Sequence, residues 1–195
     1  MVKSLVLLFV LGGALALGGC AHPLTLSPNL TALAGTGTAK ITKNVGLLIT
    51  EDDKKLEVTS PGGGGDKVRY FPYRDLEAAL YVALSESFAS VSRVSGPTDA
   101  KVQSESLSYI VTPRVQTTSS SDSVLTWPPT LFTVELNCLV ADSRGARITE
   151  VRVVGEGRAT FDEFKVSGGA LSANRAAEDA VKKLIKALGE TAVLR

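Results

Sequence analysis

The chain has 195 residues, 44% of them hydrophobic, with 21 lysines and arginines against 20 aspartates and glutamates. A chain of this length makes one ordinary domain with a real core, and its formal net charge of +1 offers no basic stripe to a nucleic acid. Two cysteines and one histidine, His22, leave no zinc ligand set and no imidazole base in the body of the domain, which excludes histidine-based catalysis there.

At the start of the chain Lys3 precedes an apolar stretch over residues 5–17, too short to cross a bilayer comfortably. It ends in Leu17-Gly18-Gly19-Cys20, where two small residues admit a peptidase ahead of the cysteine. A thiolate at this position is the nucleophile that takes up a diacylglyceryl group. The new amino terminus can then accept a further acyl chain, and two or three chains make a stable anchor. The segment resembles the lipobox of bacterial outer-membrane lipoproteins. The resemblance implies a signal peptide over residues 1–19, lipidation of Cys20 as the sole membrane attachment and, with Ala21 rather than aspartate next, an outer-membrane address facing the periplasm. Without residues 1–19, which carry Lys3 and no acid, 20 basic and 20 acidic side chains remain. Cys138 is then the one free thiol, so no intramolecular disulfide forms, and its alternating surroundings predict a small buried strand residue.

Residues 20–40 read as a lipidated, mostly extended tether whose Leu24, Leu26, Leu30 and Leu33 offer apolar contacts to the domain that follows, residues 41–195. Val45, Leu47, Leu48 and Ile49 make a buried central strand within 41–50. Glu51-Asp52-Asp53 with Lys54 and Lys55 predicts a solvated turn rather than a cation site. Two short alternating stretches, Leu56 with Val58 and Val68 with Tyr70, flank Pro61 and Gly62 to Gly65 as a hairpin-like excursion. The glycine run before Lys67 lacks the following serine or threonine, and the helix, of a phosphate loop.

Leu76, Leu80, Ala83, Leu84, Phe88 and Val91 recur at helical spacing and predict a helix over 75–94. Leu107, Tyr109, Val111 and Val115 alternate as a half-buried strand, with Pro113 marking an edge or bulge. A polar connection over 117–130 contains Trp127-Pro128-Pro129, an arrangement suited to presenting an aromatic anchor to a partner or to capping the core. Alternation over 132–140, the turn Asp142-Ser143-Arg144-Gly145 and alternation over 147–161 give two further strands. In the second, Gly155 and Gly157 fall on the core face, where they suit a bend or a closely packed helix. Ala177, Ala180, Val181, Leu184 and Leu188 predict a second amphipathic helix over 172–188, with Lys182, Lys183 and Lys186 toward solvent.

The order strand, helix, strand, strand, strand, helix predicts an α+β two-layer sandwich, a four-stranded mixed or antiparallel sheet with both helices on one face. With Leu24-Thr25-Leu26-Ser27-Pro28 after the cysteine, the strand Val45 to Ile49, the helix Leu76 to Val91 and the closing helix Ala173 to Leu188, the chain resembles small YajG-like envelope lipoproteins. More distantly it resembles the lipopolysaccharide-assembly lipoprotein. The resemblance implies a fold and assigns no functional residue. The sequence predicts no catalytic residue, cofactor or metal. It points to a non-enzymatic envelope lipoprotein that binds or scaffolds a protein partner. The alternative is a lipid- or small-ligand-handling accessory protein of an envelope transport or assembly system, which needs an empty apolar cavity where scaffolding needs an exposed flat face.

Overall fold

A computed structural model of the chain describes residues 21–35, 40–122 and 128–195. Its main sheet has five strands: β2 (Ile41–Leu48), β5 (Phe88–Val94), β6 (Tyr109–Ser120), β7 (Leu131–Asp142) and β8 (Arg147–Arg158). They lie in the order β5-β2-β6-β7-β8. The first three run parallel, and β6, β7 and β8 form an antiparallel meander. A second, three-stranded sheet has β4 (Lys67–Tyr70) between β1 (Ala21–Pro23), parallel to it, and β3 (Val58–Pro61), antiparallel to it. The helices are α1 (Glu51–Lys55), α2 (Pro72–Ser87), α3 (Ala100–Ser104), α4 (Phe161–Ser167) and α5 (Leu171–Glu190).

The expected α+β class and two long helices are present, but the single four-stranded sheet is corrected to five strands plus a second sheet of three. The fifth strand is the end of the expected helix 75–94. Helix α2 stops at Ser87, where the Ser85 and Ser87 hydroxyls donate to the Tyr81 and Ala83 carbonyls at 2.9 and 2.8 Å. Such back-bonding offers the last turn an alternative to continued helix. Phe88 and Val91 continue the apolar spacing of the helix, yet they reach the same core from a strand paired with β2. The glycine hairpin is real, and β1 extends it into a sheet.

The segment read as a tether is packed on the domain. Leu24, Leu26 and Leu33 are buried, while Leu30 is 40% exposed. Its backbone is held by side chains of both long helices: Ser27 N–H donates to Asn174 Oδ1 at 2.7 Å, and Gly35 N–H to Glu86 Oε2 at 2.9 Å.

Two short helices replace an expected turn and an expected strand end. Thr50 and Asp53 form a capping box that starts α1, and Thr160 and Glu163 form another that starts α4. In both, the hydroxyl and the carboxylate satisfy otherwise orphaned amides. The second cap ends β8 at Arg158, short of the expected strand end at 161, so Phe161 is 49% exposed at the head of a helix.

Helices α2 and α5 cover one face of the main sheet. The closest approach is at Gly155 and Gly157. A Cβ at Gly155 would lie 2.2 Å from Ala180 N, and one at Gly157 would lie 2.0 Å from Ser172 O. Among the described residues the opposite face is covered at one end only, where Val102 of α3 and Leu107 after it pack onto Leu48, Val94 and Ile110. Pro113 is buried in β6 beyond Val111, the last residue of β6 paired with β2, so the missing amide costs that strand no ladder bond on the β2 side.

These placements predict that Leu80→Ala, at a site 1% exposed, lowers the urea unfolding free energy by about 2–5 kcal/mol. Lys186→Ala, on the solvated side of α5, stays within about 0.5 kcal/mol.

Candidate functional site

The open part of the main sheet is built by the solvent-side parity of three 12-residue strands. On β7, Phe132, Val134, Leu136, Cys138 and Val140 point into the core, which turns Thr133, Glu135, Asn137 and Leu139 outward. The register sets Gln116 of β6, Glu135 and Val154 of β8 in one row, and Arg114, Asn137 and Arg152 in the next. Glu135 and Arg152 join these rows through two hydrogen bonds, Nε to Oε1 at 2.7 Å and Nη2 to Oε2 at 2.9 Å. The Arg152 guanidinium holds the Glu135 carboxyl below its usual range, and Glu135 in turn raises Arg152. Both therefore stay charged across the physiological range. Beside them Asn137 Oδ1 is shielded from solvent without a hydrogen-bond partner, a state that costs stability rather than one that offers an acceptor to solvent.

The borders of this sheet are closed to strand addition where side chains occupy the edge backbone. On β8, Glu156 N–H donates to Asp179 Oδ2 at 2.9 Å, and Lys183 Nζ donates to the Val154 carbonyl at 2.9 Å. Lys183, expected in a purely solvated stripe, thus guards an edge. On β5, Tyr81 Oη donates to the Val91 carbonyl and Lys101 Nζ to the Arg93 carbonyl, at 2.9 and 3.0 Å. Edges occupied in this way are poorer templates for an added strand at those positions.

A second feature lies at the end of β6. The glycine hairpin is tied to the sheet by hydroxyls: Ser60 Oγ lies 2.7 Å from Ser119 Oγ and 3.1 Å from Tyr70 Oη, which lies 2.7 Å from Thr117 Oγ1. Between the hairpin and Ser119 to Ser121 is an open cleft of about 730 Å³ lined by Pro61, the four glycines and serines. Its walls lack the bulky apolar side chains of a lipid-carrying cavity.

Among the residues singled out from the sequence, Cys20 and Trp127 lie outside the described residues. Pro128 and Pro129 are buried, and the Pro129 carbonyl accepts a hydrogen bond from Ser172 Oγ at 2.7 Å. They join the loop to the start of α5 and expose little of themselves to a partner. The acids at residues 51–53 belong to α1, where Lys54 bridges Glu51 and Glu77 at 3.0 and 3.2 Å. Among the described residues no group of three histidine, cysteine, aspartate or glutamate side chains is placed to hold a metal ion. Alternation in the sequence puts Glu135, Asn137, Arg152, Glu156 and Arg158 on the sheet face away from the helices, to be wet or to meet a partner, but it does not single out the Glu135–Arg152 pair within that face. The sequence signal for it was the pair of glycines on the other parity of β8, which commits both helices to one side.

Cys138 is 1% exposed, and burial pushes its thiol up to about 12. It will therefore resist alkylation by a maleimide or iodoacetamide in the native protein and react stoichiometrically in denaturant. Rapid native labelling would contradict its placement on the core face.

No protein-family model matches the chain, and no curated protein matches it. Among solved structures it is similar to a Xanthomonas campestris protein of family DUF330, with 12% identity and a TM-score of 0.49 over 90% of this chain and 96% of that one. A protein named as a lipoprotein from Caulobacter crescentus CB15 has 16% identity and a TM-score of 0.35, over 68% of this chain and 85% of that one. A minor lipoprotein from Acinetobacter baumannii has 13% identity and a TM-score of 0.40, over 76% and 94%. Two of these three neighbours are named as lipoproteins, and none carries the YajG-like description.

Proposed function

We propose that this protein is a non-enzymatic lipoprotein of the bacterial envelope, anchored through Cys20 in the outer membrane and facing the periplasm, that binds a protein partner through the open face of β6, β7 and β8. The anchor rests on the signal-like residues 1–19 and the cysteine that closes them. No helix among the described residues is long and apolar enough to cross a membrane. The partner reading rests on one observation above the others: a face of long strands, left uncovered by the described residues beyond α3, that carries a fixed, bidentate charge pair. Standard protein interfaces take such a patch, with a charged group fixing orientation and neighbouring apolar atoms supplying area. Leu139 and Val154, both on this face and the latter 41% exposed, supply part of that apolar area. Carriage of a lipid is the weaker reading, because the glycine cleft is open and lined with small residues.

Photo-crosslinking in intact envelopes tests the reading. Benzoylphenylalanine at Gln116 or Val154 should give a discrete protein adduct that disappears with Arg152→Glu, while the same probe at Lys182 on α5 gives none. Adducts from Lys182 alone, or no adduct from either face position, would contradict a partner on the sheet.

A further inference from the structure

We infer that the end of the domain bearing the glycine hairpin and α4 rests directly on the lipid surface, with Val166 and Phe161 entering the headgroup region. This inference rests on the proposed anchor at Cys20, and its core is the absence of slack between that residue and the fold. Ala21 is already paired with Lys67, His22 with Val68 and Pro23 with Arg69 in the second sheet. His22 Nε2 also lies 3.1 Å from Asp66 Oδ2. One peptide unit spans about 4 Å, so acyl chains on Cys20 hold the edge of this sheet within a few ångströms of the bilayer. A flexible tether would let the domain tumble; a cysteine one residue from a paired strand dictates which end faces the lipid.

The contacts identify what else lies at that end. Lys67 pairs with Pro61 across the hairpin, and the Pro61 carbonyl accepts from Ser119 Oγ near the end of β6. In the antiparallel meander, Ser120 lies opposite Leu131, and Leu131 opposite Arg158. The chain then enters α4, where Phe164 is buried while Phe161 is 49% and Val166 89% exposed. Val166 lies two residues from Phe164 and so points away from the core. Lys165 Nζ sits 4.8 Å from the Phe161 ring centre and 2.9 Å from Asp162 Oδ1. An aromatic ring with a cation beside it, next to an exposed valine, fits the boundary between headgroups and acyl chains. Asp66 and Asp162 at the same end offset the lysines, so apolar contact rather than charge holds this surface to lipid.

The test uses the acylated protein purified from membranes and reconstituted into phosphatidylethanolamine and phosphatidylglycerol vesicles that carry nitroxide-labelled lipid. Single cysteines at Val166→Cys, Phe161→Cys and, as a distal control, Arg144→Cys receive an environment-sensitive nitrobenzoxadiazole probe; buried Cys138 stays unlabelled. Arg144 lies in the turn at the other end of strands about 40 Å long. The inference expects blue-shifted, nitroxide-quenched emission from both α4 positions and water-like, unquenched emission from the control. Vesicle-bound protein with unquenched α4 probes, or equal quenching at all three sites, overturns the inference and leaves the anchor standing. Protein that fails to float with the vesicles overturns the anchor and the inference together.

Discussion

At Gly155 and Gly157 the backbone of β8 meets the backbone of α5 with no side chain between them, and the rest of the architecture follows from that approach. The helix answers with its smallest residues: Ser172, Ala173, Ala176, Ala177 and Ala180 are all fully buried. Farther along, where β8 carries Val151 and β7 carries Leu136 and Cys138, the helix presents Val181, Leu184 and Leu188 to the same core. The small residues on both sides let the first half of α5 lie directly on the backbone of β8. Asp179 and Lys183 are thereby brought against the edge backbone at Glu156 and Val154, with Arg175 adding a 2.7 Å hydrogen bond to the Arg158 carbonyl. A larger residue at either glycine would lift the helix and take these contacts with it.

Seating both long helices on one side has a functional consequence. The apolar parity of β6, β7 and β8 is satisfied by α2 and α5, while short α3 reaches only the Leu48 and Ile110 end of the other face. What remains outward is a polar surface whose strand edges are partly occupied by side chains. It suits recognition by side chains rather than by strand addition. The proposed anchor complements this arrangement. With Ala21 already in a strand, an acyl group on Cys20 would keep the domain from swinging freely and would hold the sheet face at a set angle to the lipid.

Much of this was legible in residue pattern. Strict alternation from Phe132 to Val140 and the Asp142 to Gly145 turn fixed the meander, and the turn forms as its residues dictate: Asp142 Oδ1 accepts from the Arg144 and Ala146 amides, and Gly145 takes a φ of 87°. Gly155 and Gly157 suited either a bend or a closely packed helix, and the backbone of α5 against both makes it the helix. Three things were obscured for physical reasons. Phe88 and Val91, three residues apart, satisfy a helical period and not a strand's alternation, and only the serine-rich end of α2 marks the helix as stopping before them. Residues 21–35 have no period of their own because they fold by packing single leucines and borrowing side chains such as Asn174 and Glu86. The Thr160 to Glu163 box, the one local sign that β8 ends early, was masked by an apparent continuation of strand parity to Phe161.

The account depends most directly on the glycine contact, and a pair of alanine substitutions tests it by equilibrium urea unfolding. At Gly155 the added Cβ meets helix backbone, whereas at Gly96 it meets nothing within 4 Å. Overpacking against backbone that has no rotamer to yield should cost Gly155→Ala about 2 kcal/mol or more. Gly96→Ala should remain within about 0.5 kcal/mol of the wild type. Equal unfolding free energies for the two variants would contradict direct seating of α5 on β8, and with it the reason one face of the sheet is left open.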